Sequence, residues 1–562
     1  MAASLQVVGA VAALAVVGAA QLALEAIVAP ERNATDLTVG LLALAAATAV
    51  SGSMTILQSQ QQRLLGERLS QATWTDILAV TTRVRMINYE SVGFSTQLER
   101  VEQNAVSRPF MVATALLGMS GNLLGVVTMA IAILAIAPIL LPVLLVAGFP
   151  AVLLSRLASR AEFTFASRAI GDFRRRAYLR RLLSQRPFAA EARSFTTTLP
   201  LSREHDAAND RYLGLLRRQV RKRQAYAVLT TLAVGITLAG AFLIIVLLLN
   251  TGQISLAEAG AAAIAVRLLS AQLSGFFASL GNLQESAPFL QDLERFRALA
   301  PPEVEEAPPA RPLRSEFVVD QVTFRYPEQS TPALHGVTLA IRRGEIVALV
   351  GENGSGKTTL AKIIAGLYEP DEGRTTWDGE VIDGEAIRAS VSVTLQDFVR
   401  YQMTVRDNIT ISDPDRDRSD VSTVLADSGA DEVVVGLDDG ADTMLGRELD
   451  EGVDLSGGQW QRVAIARCLF RDRDLVVLDE PTAALDPRAE SELFADVRQM
   501  LDGKAALLIS HRLSSVRLAD RIYVLARGEV IDSGTHDELV RRAGLYAELY
   551  GMQAETYLRD LS

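Results

Sequence analysis

The residues best suited to chemistry lie in the C-terminal half of the 562-residue chain. Gly351-Glu352-Asn353-Gly354-Ser355-Gly356-Lys357-Thr358 has the spacing Gly-x4-Gly-Lys-Ser/Thr, followed by Thr359. Glycines permit a tight loop whose backbone N–H groups face phosphate oxygens, and a helix beginning near Thr358 adds positive potential. Lys357 would neutralise β- and γ-phosphate charge, and Thr358 would give a hydroxyl oxygen to Mg2+. The run from Gly351 to Thr359 is therefore assigned to nucleotide binding. Asp479 can hold the Mg2+ shell, while its neighbour Glu480 is placed to orient or deprotonate an attacking water. Leu455-Ser456-Gly457-Gly458-Gln459 precedes an amphipathic segment over 460–470. Ser456 is a natural N-cap there, and the two glycines leave the first helical turn open to an anion.

The phosphate loop and Asp479 each follow a short apolar run, and two further runs end in polar residues in the same way. Residues 346–350 lead into Gly351, 390–395 into Gln396, 475–478 into Asp479 and 505–510 into His511. Continuous apolar runs suit parallel strands covered on both faces, and ligands of open α/β sheets collect at the carboxyl ends of strands. The polar residues are expected to converge on one ligand.

From Phe317 to about Leu549 the chain resembles the nucleotide-binding domain of ATP-binding cassette (ABC) proteins, whose signature is this Leu-Ser-Gly-Gly-Gln. The resemblance implies an α/β P-loop NTPase domain of the ABC class, with ATP and Mg2+ as cofactors. It implies that adenine stacks on Tyr326, whose other reading is a core tyrosine of a strand. It implies that Gln396 reaches Mg2+ and the attacking water, that His511 contacts the γ-phosphate, and that Asp486 communicates across a dimer. Glu480, His511 and Gln396 would then serve catalysis, and Thr358, Gln396 and Asp479 the metal. In this family two ATP molecules are sandwiched, each between one chain's phosphate loop and the other's signature, so a single chain would not complete a site. Two departures stand out. Asp450-Glu451-Gly452-Val453-Asp454 occupies the place where many exporters carry a Gly-Glu-Arg-Gly type sequence, and Glu480 is followed by Pro-Thr-Ala-Ala rather than Ala-Thr-Ser-Ala. Glu480 itself is the base expected of a hydrolytic site.

The elements that must carry this site differ sharply between the two halves. Residues 1–300 bear a formal charge of +9 and the remainder −20, within a total of −11. A proline-rich, charged stretch separates them, so we expect a membrane domain over 1–297, a linker over 298–314 and a nucleotide-binding domain over 315–562. Apolar runs at 5–28, 37–57, 110–135, 138–154, 226–249 and 256–283 predict six transmembrane helices, since about 20 helical residues cross about 30 Å of hydrocarbon. The segment 156–223 holds seventeen basic and six acidic residues, whereas 136–137 and 250–255 hold none. Basic loops stay cytoplasmic, which places both termini and the nucleotide-binding domain in the cytoplasm of what the composition suggests is a bacterial plasma membrane. A nucleic-acid partner is not expected, because the soluble half is acidic. The lone Cys468 cannot build a disulfide or a metal centre by itself.

Six spans, long cytoplasmic excursions over 58–108 and 155–225 and a C-terminal cassette resemble the exporter type of ABC half-transporter, an α-helical polytopic membrane domain fused to its cassette. The resemblance implies a second half-transporter as partner, homodimeric or heterodimeric, and alternating access for a small molecule, lipid or peptide crossing the lipid bilayer. Its coupling segments would include Tyr89-Glu90 and Glu191 to Phe195. Import on the same fold, siderophore uptake for example, and an ATP-gated regulatory role are the alternatives. Arg267, near mid-membrane in the sixth span, would cost about 2.5–3.5 kcal/mol if unpaired and should face a cavity or a partner. With Glu258 and Glu25 near the outer interface, it completes the substrate-contact candidates; an interhelical structural bond is the other reading of Arg267.

Overall fold

A computed structural model describes residues 2–28, 34–105, 107–301, 308–447, 452–481, 498–499, 501, 503–510, 512 and 516–560. The chain divides into two compact units, Met1–Arg83 with Thr96–Ala300, and Val84–Ser95 with Pro301–Ser562.

Long apolar stretches rich in alanine, leucine and valine give the helices of the first unit. These are α1 (Ala2–Val28), α2 (Ala34–Arg83), α3 (Val92–Ala105), α4 (Arg108–Ile136), α5 (Leu140–Ser184), α6 (Arg186–Ser194), α7 (Thr198–Asn250) and α8 (Leu256–Arg297). Among the described residues, five helices are long and apolar enough to cross a membrane: Gln6–Val28, Ala34–Arg83, Arg108–Ile136, Thr198–Asn250 and Leu256–Arg297. The fourth expected span falls in α5, where the side chains at 143–152 lie outside the described set. At 1.5 Å per residue α7 is about 80 Å long, far more than the hydrocarbon thickness. The surplus of α2, α5 and α7 makes up much of the segments 58–108 and 155–225, which are thus helical continuations of the apolar stretches.

The helices pair as α4 with α8, α5 with α7 and α1 with α2. Small residues allow this approach: a Cβ at Gly40 of α2 would stand 2.8 Å from Ala23 Cα of α1. Met129, Ile133, Leu140, Ala262, Val266 and Leu269 form the middle of a buried cluster, while Leu42, Ile56, Ile131 and Ile236 are exposed. Such exposed apolar faces suit lipid rather than water. Charges on the excursions pair across helices. Arg108 bonds Glu285 at 2.8 Å with its guanidinium 4.3 Å over Phe289, Arg211 bonds Asp172 at 3.0 Å, and Arg175 and Arg297 pair with Glu204 and Asp76. These arginines therefore hold neighbouring helices together.

The second unit has two sheets. A four-stranded antiparallel sheet has the order β2-β1-β4-β5, with β1 Glu316–Phe324, β2 Leu334–Arg342, β4 Glu372–Trp377 and β5 Glu380–Val381. A six-stranded sheet has the order β10-β9-β3-β8-β7-β6, with β3 Ile346–Val350, β6 Val391–Thr394, β7 Leu475–Asp479, β8 Ala505–Ile509, β9 Arg521–Ala526 and β10 Glu529–Gly534. Pairing is parallel from β9 through β3, β8 and β7 to β6, and antiparallel between β9 and β10. Every residue of β7 and β8 is buried, as their unbroken apolar sequences require. The end of the expected linker is held to this unit: Leu313 is buried and its N–H donates to Asp474 Oδ2 at 2.8 Å, and Trp377 Nε1 donates to Pro312 O at 3.1 Å.

A further cluster joins Val405, Ile409, Val424, Val463 and Phe470 around Trp460 of the helix Gly457–Phe470. Trp460 is 2% exposed, and its Nε1 has no hydrogen-bond partner among the described residues. Its indole contributes packing while its N–H contributes a desolvation cost. Trp460→Ala is expected to destabilise the second unit by about 3–5 kcal/mol, whereas Trp460→Phe, which removes the unpaired donor along with some volume, should cost less than about 1.5 kcal/mol. Denaturant unfolding of the two variants checks the difference, and equal losses would contradict it.

Candidate functional site

The register of the large sheet brings the expected residues together. Leu349 of β3 lies beside Ile509 of β8, Ile509 beside Asp479 of β7, and Leu478 beside Thr394 of β6. The phosphate loop, Glu480 and Gln396 therefore start within about two residues of one line across the strand ends. The loop can lie so close only because of its glycines: a Cβ at Gly351 would stand 2.0 Å from Leu525 O, and Gly356 has φ +106° at the N-cap of the helix Lys357–Ile364. Lys357 is 6% exposed, and its Nζ donates to Gly351 O at 2.8 Å and Glu352 O at 2.9 Å. Burial lowers its pKa, opposed by the charges of Glu480 and Asp479. Glu352, Asn353, Gly354 and Thr358 are exposed around the loop, whereas Ser355 and Thr359 are buried.

Asp479 is 1% exposed, and neither carboxylate oxygen has a hydrogen-bond partner among the described residues. Burial and then the neighbouring Glu480 push its pKa up to about 6, against the pull of Lys357 and Lys362. A buried carboxylate without donors lacks what a cation supplies, and the nearby hydroxyl of Thr358 and amide of Gln396 are oxygen ligands of the kind Mg2+ takes. The residues present therefore fit that ion.

Glu480 is held in a left-handed conformation, φ +50°. Its N–H donates to Ile509 O at 2.9 Å, its carbonyl accepts from Gln461 Nε2 at 3.0 Å, and its Oε2 accepts from Gln396 Nε2 at 2.9 Å. A strained backbone fixed at both ends aims the carboxylate. Gln461, buried on the signature helix, was not foreseen; nothing in its sequence neighbourhood marks it as a positioning residue.

Ser456 caps the helix Gly457–Phe470 in a capping box, Oγ accepting from Gln459 N at 3.3 Å and Gln459 Oε1 accepting from Ser456 N at 2.8 Å. Leu455 is buried in the cluster around Trp460, whereas Ser456 and Gln459 are exposed. Arg467 on the same helix donates to Val399 O, Asn408 O and Asn408 Oδ1 at 3.0, 2.7 and 2.8 Å. The signature is thereby fastened to the loop that follows Gln396. His511 and Asp486 lie outside the described residues.

Tyr326 is half-buried just beyond β1, and its hydroxyl meets Thr359 Oγ1 at 3.0 Å. Its ring stands edge-on to Phe324 and Tyr368, which stack on each other at 5.1 Å. Tyr368 donates to Glu90, Lys362 Nζ lies 3.6 Å from the same carboxylate, Arg85 pairs with Glu369 at 3.1 Å, and Ile87 packs on the strand core. The 3-10 helix Met86–Glu90, from the first excursion, is thus joined through Tyr368 to the tyrosine expected under adenine. Of the other expected coupling stretch, Glu191 to Ser194 fall in α6.

The three intramembrane candidates do not gather. Glu258 completes a capping box with Ser255 at the start of α8, Glu25 accepts from Gln21 on its own helix, and Arg267 is exposed on α8. A cap explains Glu258 without a ligand.

The carboxyl of Asp479 has a raised pKa in the folded state, so its stabilising contribution is full below pH about 4 and is lost as pH rises through about 6. Asp479→Asn is expected to raise the stability of the nucleotide-free chain at pH 7.5 by about 1–3 kcal/mol, with the gain vanishing below pH about 4. With Mg2+ and ATP present the order should reverse. Unfolding curves at the two pH values, with and without Mg2+ and ATP, decide this; an Asn variant less stable than the parent in the absence of ligand would refute it.

Residues 334–483 match the family described as ABC transporter. Cyclolysin secretion/processing ATP-binding protein CyaB of Bordetella pertussis is 41% identical over 43% of this chain, and the match spans 34% of that protein. The chain thus aligns with about a third of the length of the first curated relatives. Subtilin transport ATP-binding protein SpaT of Bacillus subtilis is 28% identical over 86% of this chain and 80% of its own length. A solved bacterial Atm1-family ABC exporter with ATP bound shares the fold, with a TM-score of 0.87 at 22% identity over 98% of this chain and 97% of that one. The second unit carries an ABC transporter ATP-binding domain, and the chain as a whole has the fold of an ABC exporter.

Proposed function

We propose that the chain is one half of a dimeric, ATP-driven membrane exporter that hydrolyses ATP to move a small molecule, lipid or peptide by alternating access. The observation that carries this reading is the division of the site. Lys357, Asp479, Glu480 and Gln396 meet at the strand ends, while the first turn of the signature helix is open and, among the described residues, no hydrogen bond joins it to the phosphate loop. A second chain would supply the missing face. Its loop's phosphates would then lie against Ser456, Gly457 and Gly458, with the helix terminus and the glycine-bared backbone as anion receptor.

Within each site Lys357 would exchange its two loop carbonyls for β- and γ-phosphate oxygens, and Tyr326 would present its ring to adenine. Thr358, Gln396 and Asp479 would hold Mg2+, which supplies neutralisation of developing phosphate charge. Glu480 would orient and deprotonate water, taking its carboxylate from the amide of Gln396 as that amide turns to the nucleotide. His511 would bind γ-phosphate and Asp486 would answer across the dimer. The apolar helices and the basic excursions support a location in the bacterial plasma membrane, with the cassette and both termini on the cytoplasmic side.

Glu480→Gln should lower ATP hydrolysis by at least about 100-fold while leaving ATP binding intact, and should abolish ATP-dependent uptake into inside-out vesicles. In a homodimer, chains carrying Lys357→Ala and chains carrying Ser456→Arg should each be inactive alone and should regain hydrolysis when assembled together, since the mixed pair restores one composite site. No recovery despite mixed dimers would reject the homodimeric form, and hydrolysis by the separated monomer would reject the divided site.

A further inference from the structure

Between α1, α2, α4 and α8 of the first unit lies a cavity of about 480 Å3, within the size range of ligand sites. Its lining is unlike the surrounding apolar bundle. Gln6, Gln58, Gln61, Gln62, Asn122 and Gln272 contribute six side-chain amides, and among the described residues Arg68 is the only charged one that lines it. Gln6 is engaged, donating to Leu117 O at 2.5 Å and accepting from Ser120 Oγ at 3.0 Å. Among the described residues the other five amides have no hydrogen-bond partner. The helix backbones are pared back to make room for them: a Cβ at Gly125 would stand 2.5 Å from Gln272 Cδ, and one at Gly275 would stand 2.7 Å from Asn122 Oδ1. Gln6 lies at the start of the first expected span, and Gln58 to Arg68 follow the end of the second, so the cavity belongs to the end of the bundle that continues into the excursions.

These five amides are half-buried and turned to the cavity, and each offers two donors and one acceptor to whatever occupies it. Peptide groups present the same donor and acceptor pair in return. An acyl chain would leave every amide unmatched, and a phosphate headgroup would find a single cation. Among the described residues no carboxylate lines the cavity, which leaves a cationic ligand without a counter-charge. Resting on the transporter reading above, we propose that this cavity is a cargo subsite for a peptide segment, its backbone on Gln58, Gln61, Asn122 and Gln272 and its terminal carboxylate on Arg68. Arg267, Glu258 and Glu25, the charged candidates read from the sequence, are not among the residues that line this cavity.

The test uses the full chain in nanodiscs without nucleotide, empty nanodiscs as background, and a fluorescein-labelled hexapeptide of alternating asparagine and leucine with a free C-terminal carboxylate. Anisotropy should report saturable binding. Gln272→Leu and Asn122→Leu should each weaken it about tenfold. Arg68→Gln should reduce the free acid to the affinity of the C-terminal carboxamide form, Arg68→Lys should restore it, and basal ATP hydrolysis should be unchanged in all four. Peptide binding indifferent to these substitutions would overturn the assignment and leave the amides a structural role. Saturation of the same site by a labelled phosphatidylglycerol, with the same dependence on the variants, would overturn it in favour of lipid. Because no ATP is present, variant-sensitive binding in a chain that fails vesicle uptake would count against the transport reading alone.

Discussion

A carboxylate withdrawn from water with no donor to meet it is unfavourable in isolation, and among the described residues Asp479 of the second unit has no donor, a condition that a cation would relieve. Its position follows from the parallel sheet. β7 is covered on both faces, so its last side chain can turn only toward the crevice at the strand ends, beside the loop after β3. Lys357 is similarly buried and satisfies itself with two loop carbonyls, an arrangement a phosphate can replace one bond at a time. The opposed charges lower each other's cost, and Gln396 and Glu480 bond across the same crevice. Nucleotide and metal would complete an electrostatic set that the protein alone leaves open.

From that crevice two rigid connections run outward. One is the signature helix, which reaches Glu480 through Gln461 and the loop after Gln396 through Arg467, so displacement of the helix is felt by both reacting-group candidates. The other is the aromatic chain from Thr359 through Tyr326 and Tyr368 to Glu90. Stacked and edge-on rings transmit position because they cannot interpenetrate, and the buried Tyr368 hydroxyl has committed its proton to Glu90, with burial and that carboxylate raising its pKa well above the ordinary range. A segment drawn from the helical half of the sequence is by these contacts part of the cassette's own core.

The first unit solves a different problem. Its helices must expose apolar surface outward while keeping defined neighbours, and they do so with glycine contacts within the bundle and arginine–carboxylate pairs on the excursions. Polar groups are admitted sparingly, and where several amides gather the backbone has been trimmed to glycine around them.

The cassette's chemistry was legible in the sequence because it is local. The phosphate loop, the Asp479-Glu480 pair and the signature each depend on dihedral angles and hydrogen bonds within a few residues, so spacing alone announces them, and hydropathy over about 20 residues announces a span in the same way. Gln461, Tyr368 with Glu90, and Gln272 with Asn122 had no such mark. Their significance lies in contacts between residues far apart in the chain, 278 positions in the case of Tyr368 and Glu90, and an isolated glutamine or tyrosine reads the same in any helix or turn. Residue types and spacing determined the kind of ligand and the strand ends that would meet it. Only folding decided which distant side chains hold those ends in place, because a side chain acquires a partner by packing, and packing is settled by the whole tertiary structure at once.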